Sequence, residues 1–236
     1  MLILPQKRNI KHLLYKYLNL LSNISVATIY KVVYYIGIYF FRSFYMISIR
    51  KYKEKDYKDV QYVCLHCEDT PEDPADLQEF VLHTFCDYYI DNEPENCFVL
   101  DDDGKAVGYI ICAENYDAYK KIFDKKYLPL NAHLDEGLYN WAKNSTVLQE
   151  KYKDEYPAHL HIDLTPPYHH KGYGTQLIKA LCRHLHAKGV HGVMLTVGSK
   201  NINGVNFYKK CGFTLLEQKD SEGEIAFGIK TNYFED

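Results

Sequence analysis

The chain has 236 residues, 47% of them apolar and 25% charged, which is enough for one sizeable core and ordinary for a globular protein. Charge is unevenly placed: the first 45 residues carry six Lys or Arg and no acid, so from Met46 onward 22 bases face 31 acids. An acidic body of this kind disfavours nucleic acid as a partner and favours a cationic or amine-bearing one.

Seven cysteines, an odd number, lie scattered in apolar surroundings and read as reduced thiols of a cytoplasmic protein. Cys64 and Cys67 form a Cys-x-x-Cys pair with no second pair at metal-binding spacing, so they read as one buried helix face and no metal is expected.

In chain order, Ile24 to Phe41 is apolar except for Lys31 and a few hydroxyls. Its length reaches the lower limit of a membrane-spanning helix, but a central Lys costs roughly 2.5–3.5 kcal/mol on insertion. No cleavage pattern of a signal peptide follows. Residues 1–45 have three readings: a membrane anchor through residues 24–41, an amphipathic appendage packed on the body, or sequence upstream of a true initiator at Met46. Membrane association is expected only through this segment.

From Met46 to Lys51 residues alternate as a strand, and Asp56 opens a helix carrying Val60, Val63, Cys64 and Cys67. An acidic link from Glu68 to Pro74 leads to a second helix with Leu77, Phe80, Val81 and Phe85, and Asp91 to Asn96 reads as a loop. Residues 97–100 and 105–113 are the arms of a β-hairpin turning at Asp101–Gly104, because Asp-Gly between apolar runs is a strong hairpin signal. From Glu114 to about Lys153 one helix is expected through Tyr116, Tyr119, Ile122, Phe123 and Tyr127. A second is expected through Leu138, Trp141, Val147 and Leu148, with Pro129 between them.

Leu160, Ile162 and Leu164 alternate with His159, His161 and Asp163 as a further strand, which Pro166 and Pro167 stop. Gly172 and Gly174 then open a helix with Leu177, Ile178, Leu181 and Leu185 on one face. A strand ending above a glycine-opened helix is an anion site, most naturally for phosphate: the first helical N–H groups lack partners and carry the positive dipole end. Thr175 adds a hydroxyl, and His169, His170 and Lys171 add positive charge. No Walker Lys-Ser/Thr and no ribose-reading acid accompany the glycines, which disfavours a nucleotide-phosphate binder. The strand from Val193 to Val197, a helix from Asn201, and strands at Phe213–Glu217 and Glu224–Lys230 complete the chain.

The run His169, His170, Lys171, Gly172, Tyr173, Gly174 resembles motif A of the GNAT acetyltransferase superfamily, Q/R-x-x-G-x-G/A, with His169 in place of Gln or Arg. Asn201 to Phe213 is similar to motif B, N-x-x-A-x-x-F-Y-x-K-x-G-F, with Gly204 where Ala is usual. The resemblance implies an α/β GNAT fold over residues 46–236, a mixed and mostly antiparallel sheet flanked by helices with splayed central strands. Residues 114–153 are then a helical insertion between the third and fourth strands, on the acceptor side. The implied activity is acetyl transfer from acetyl-CoA, without a metal, to a primary amine by direct attack. The implied cofactor contacts are Leu164, Thr165, His169, His170, Lys171, Gly172, Tyr173, Gly174, Thr175, Asn201 and Tyr208.

Tyr208 fills the position that commonly serves as the acid for the leaving sulfur. Thr196, twelve residues earlier, stands where some members carry a Glu base, and it cannot take a proton. His161 and Asp163, on one face of the motif A strand, are the next candidates for the base. A second class stays open, a non-catalytic acyl-CoA-binding module. The acceptor, small molecule or protein, is not read from the chain, and a homodimer is left open.

Overall fold

The computed structural model describes residues 47–67, 74–219 and 223–235. The three readings of residues 1–45, the domain boundary there and most of the acidic link lie outside the described residues. No helix among those described is long and apolar enough to cross a membrane.

Seven strands form one sheet: β1 (Ser48–Lys51), β2 (Phe98–Asp102), β3 (Lys105–Ala113), β4 (Ala158–Leu164), β5 (Gly192–Gly198), β6 (Thr214–Lys219) and β7 (Glu224–Lys230). Their order is β1-β2-β3-β4-β5-β7-β6. Every seam is antiparallel except β4 with β5. That parallel seam holds only at Ala158 opposite Val193 and His159 opposite Met194, so the two strands part toward their C-terminal ends, the splay the motifs imply. The β2–β3 hairpin turns through Asp103 and Gly104, both with positive φ (55° and 86°), and Asp101 Oδ1 accepts the Gly104 N–H at 2.8 Å. Two left-handed residues in a two-residue turn match the twist of the flanking strands.

The helices are α1 (Tyr57–Leu65), α2 (Ala75–Phe85), α3 (Asp87–Asn92), α4 (Tyr116–Ile122), α5 (Glu136–Asn144), α6 (Val147–Tyr152), α7 (Tyr173–Ala187) and α8 (Ile202–Lys210). Three features differ from the sequence reading. Cys67 lies beyond the end of α1. The chain bends at Cys86 and continues as α3, whose neighbouring Tyr88, Tyr89 and Ile90 are all buried; three adjacent core residues have no helical period to read. The second helix expected before β4 is two, α5 and α6, separated at Ser145 and Thr146.

Strand alternation sorts the core onto the two faces of the sheet. One face packs Tyr109 and Ile111 of β3 against Val60, Phe80, Tyr88, Tyr89 and Tyr119. The other packs Ile110, Leu160, Ile162, Val193 and Phe227 against Leu177, Ile178, Leu181 and Leu185 of α7. On β4 this places His159, His161 and Asp163 on the tyrosine-rich face, away from α7.

Candidate functional site

The site has two halves on opposite faces of the sheet, joined where β4 and β5 diverge. The first is the start of α7. Gly172 sits at the N-cap in the left-handed region (φ 82°), and no side chain caps the helix. The first bond back into the turn is Gln176 N–H to Gly172 O, so the N–H groups of the opening turn remain directed outward with the positive helix end. A Cβ at Gly172 would meet nothing within 4 Å; the glycine is needed for its φ and leaves open space before the helix. His170 also has a positive φ of 57°, uncommon for a side chain of its size. The loop therefore turns sharply just ahead of the exposed N–H groups, as in backbone anion sites.

Gly174 has a different reason. A Cβ there would lie 2.8 Å from Phe207 Cζ, so its missing side chain makes room for the ring of α8. Several other predicted contacts also have partners within the protein. His169 Nε2 donates to Leu164 O at 2.7 Å, tying the loop to the end of β4 where the motif ordinarily has Gln or Arg. Thr165 sends both its N–H (3.0 Å) and its hydroxyl (3.1 Å) to Val107 O. Asn201 caps α8 by accepting the Gly204 N–H at 2.8 Å, and its side chain occupies the space a Cβ at Gly204 would need. The Thr175 hydroxyl faces Cys211 Sγ at 3.5 Å. Lys171 lies over the Tyr168 ring at 5.8 Å, and Tyr173 is 6.4 Å from the same ring.

The second half is a cavity of about 300 Å³ on the tyrosine-rich face. Its walls are His161 and Asp163 of β4, Thr196, Val197 and Gly198 of β5, Glu224 of β7 and Tyr109 of β3. Helices α1 to α6 close it with Cys64, Val81, Thr84, Phe85, Tyr89, Tyr119, Trp141 and Gln149, together with Ser145 and Thr146 from the break between α5 and α6. Two carboxylates and no Lys or Arg are among these residues. The Tyr109 hydroxyl donates to Asp163 Oδ2 at 2.5 Å. His161 Nε2 lies 3.1 Å from the Tyr89 hydroxyl, and burial pulls its pKa down to about 4, so the imidazole is neutral at pH 7.

Tyr208, on α8, packs on the core of the α7 face. Its ring packs on Phe207, Phe213 and Phe227 at 5.3–6.0 Å. Its pKa is raised above that of an ordinary phenol, first by burial and then by the Asp163 charge, which places α8 in electrostatic reach of the β4 carboxylate. The phenol keeps its proton throughout the physiological range.

Comparison with known proteins bears on the family and the fold. The model of the Acetyltransferase (GNAT) family matches residues 60–213. The chain belongs to the GNAT acetyltransferase family. Among solved structures, SsHAT shares 29% identity over 78% of this chain and 98% of its own, with a TM-score of 0.69. PH1933 from Pyrococcus horikoshii OT3 shares 17% over 78% and 98%, TM-score 0.55. The polyamine N acetyltransferase of Drosophila melanogaster shares 13% over 78% and 100%, TM-score 0.55; these last two likenesses speak to the fold alone. Set against the GNAT motifs, the sequence reading missed Glu224, Gln149, Thr84, Trp141 and Tyr89, which reach the cavity from five separate elements and follow no motif. The one signal within the sequence was position: all but Glu224 fall in the helical segments before β2 and between β3 and β4.

Proposed function

We propose that the protein is an N-acetyltransferase that moves an acetyl group from acetyl-CoA to a small primary amine. The observation that carries this reading is the divergence of β4 from β5, beside an uncapped helix N-terminus and an acidic, aromatic cavity. The residues fit the cosubstrate: the N–H groups at Tyr173–Thr175 and the open space before Gly172 suit a pyrophosphate. The backbone edges of β4 and β5 beyond their last shared pair are available to amide groups. Acetyl-CoA, when bound, supplies an activated acetyl thioester.

The protein's own residues do the rest. Asp163 and Glu224 attract an ammonium group into the cavity, where aromatic rings add cation–π attraction. Asp163 accepts the proton that the amine must lose to become a nucleophile. His161, neutral and held by Tyr89, orients the nitrogen through a hydrogen bond. Tyr208 holds its proton for the departing sulfur, and since its pKa is raised above an ordinary thiol's, it acts there as a hydrogen-bond donor that offsets developing charge.

Thr196 in the cavity wall favours a second reading, a module that binds acyl-CoA without catalysis, since it cannot take a proton. The carboxylates of Asp163 and Glu224 on the same cavity weigh against it. Incubation of the protein with acetyl-CoA and a panel of alkyl, aryl and peptide amines, read by release of free thiol, separates the two. Thiol release that depends on the amine is expected. CoA binding without release for any amine would establish the non-catalytic module.

A further inference from the structure

The cavity holds polar atoms that the proposed chemistry does not use. Gln149 is 4% exposed and Thr84 1%; both line the cavity, and Gln149 Oε1 and Thr84 Oγ1 have no hydrogen-bond partner. An unmet buried oxygen is destabilising, and here two sit on different helices, α6 and α2, around the same space. The terminal torsion of Gln is soft and roughly two-fold, so the carboxamide can present either end to that space. Around them the walls are rings. Phe85 stands 6.2 Å from Trp141 and 5.5 Å from His161, and Trp141 is 52% exposed, leaving one indole face uncovered at the rim. The cavity measures about 300 Å³.

We infer that the acceptor is a small aryl-alkylamine whose ring carries an O–H or N–H, the ring lying among Phe85, Trp141 and Tyr89 and its polar group paired with Gln149 and Thr84. A purely aliphatic polyamine could turn its second ammonium to the two oxygens but would leave the rings without a flat partner. A peptide lysine brings a long apolar stem and no group to meet them. An unsubstituted aryl ring fills the walls yet strands the two oxygens, and rejection of a ligand lacking its hydrogen-bonding group is the strong form of specificity. This inference rests on the acetyltransferase reading for its ammonium end, and on Gln149 and Thr84 for its ring end.

The test uses a matched set: 2-phenylethylamine, its para-hydroxy form tyramine, the meta isomer, putrescine and a lysine peptide. Each is measured for thiol release and, separately, for binding to the CoA-loaded protein by calorimetry. At least one hydroxylated amine should exceed 2-phenylethylamine by about tenfold or more in kcat/KM and in affinity, the worth of a paired buried group. Gln149→Leu should bring that ratio close to one. Thr84→Val gives the same readout if the first variant is unstable, and the wild-type ratio needs no variant. Preference for putrescine or the peptide, or a ratio that survives both substitutions, would overturn the inference and leave the acetyltransferase reading standing. Selective binding of the hydroxylated amine without thiol release would do the reverse.

Discussion

Tyr208 and His159 are two buried-edge polar residues whose surroundings assign them opposite roles. Tyr208 feels the Asp163 charge. Tyr208→Phe keeps the ring on Phe207, Phe213 and Phe227 but removes its proton; turnover should fall about 10²–10⁴-fold, with CoA affinity within a few-fold of wild type. The check is steady-state kinetics beside CoA titration, and an unchanged turnover would leave the residue as packing. His159 is fully buried among Tyr119, Tyr89 and Tyr116 at 4.5–6.3 Å, and neither ring nitrogen has a partner. Burial, with a smaller contribution from His161, lowers its pKa to about 3. The unfolded chain therefore binds a proton below about pH 6.5 that the native chain refuses until about pH 3. Stability contributed by this group falls as pH drops through that window, by up to about 1.4 kcal/mol per pH unit. His159→Leu should be close to wild type in urea denaturation at pH 7 and markedly less sensitive between pH 6.5 and pH 4. An equal acid slope in both proteins would refute the assignment.

At the scale of elements, the opening turn of α7 carries the clearest prediction. Gly172→Ala meets no clash but takes a left-handed residue with a Cβ, at a cost of about 1–2 kcal/mol, and should retain most of the thermal stabilisation by CoA. Gly172→Asp adds a carboxylate where the pyrophosphate is expected, and should lose it. Melting curves with and without millimolar CoA distinguish strain from charge, and equal CoA shifts in the two variants would count against the anion site. This element was legible in the sequence because a strand stop, a glycine and an apolar period fall in one short run. The hairpin at Asp103–Gly104 was legible for a similar reason. The break at Cys86 was not, since Tyr88, Tyr89 and Ile90 are buried from all sides and lose the period that marks a helix. For the site, the sequence indicated His161 and Asp163 by their alternation on one strand. It was silent on Gln149 and Glu224, which meet them only through tertiary packing. It was also silent on the packing of Gly174 against Phe207, a residue 33 positions away.

At the scale of the whole molecule, the sheet works as two leaves. The other seams share between four and seven residue pairs, whereas β4 and β5 share two. Residues 193–197 are anchored to β7 along their length, and residues 159–164 to β3, so each leaf is internally strong while the join between them is not. Hydrogen exchange should show the leaves opening as separate units, with β4 amides that face the seam exchanging ahead of those in β5 that pair with β7. Added CoA should slow the seam more than either leaf; uniform protection across the sheet would contradict this.

A seam fastened at one corner is also a hinge, and its mechanical consequence reaches beyond catalysis. A ligand bearing amides that enters from the wide end adds the rungs the ladder lacks, so it clasps the leaves together and resists their rotation about the Ala158–Val193 corner. The cavity with Asp163 and Glu224 has walls from both leaves. Its width is therefore set by the clasp, and the two substrates of the proposed reaction would be linked through stiffness: the amine meets a finished pocket only after the first ligand has locked the hinge.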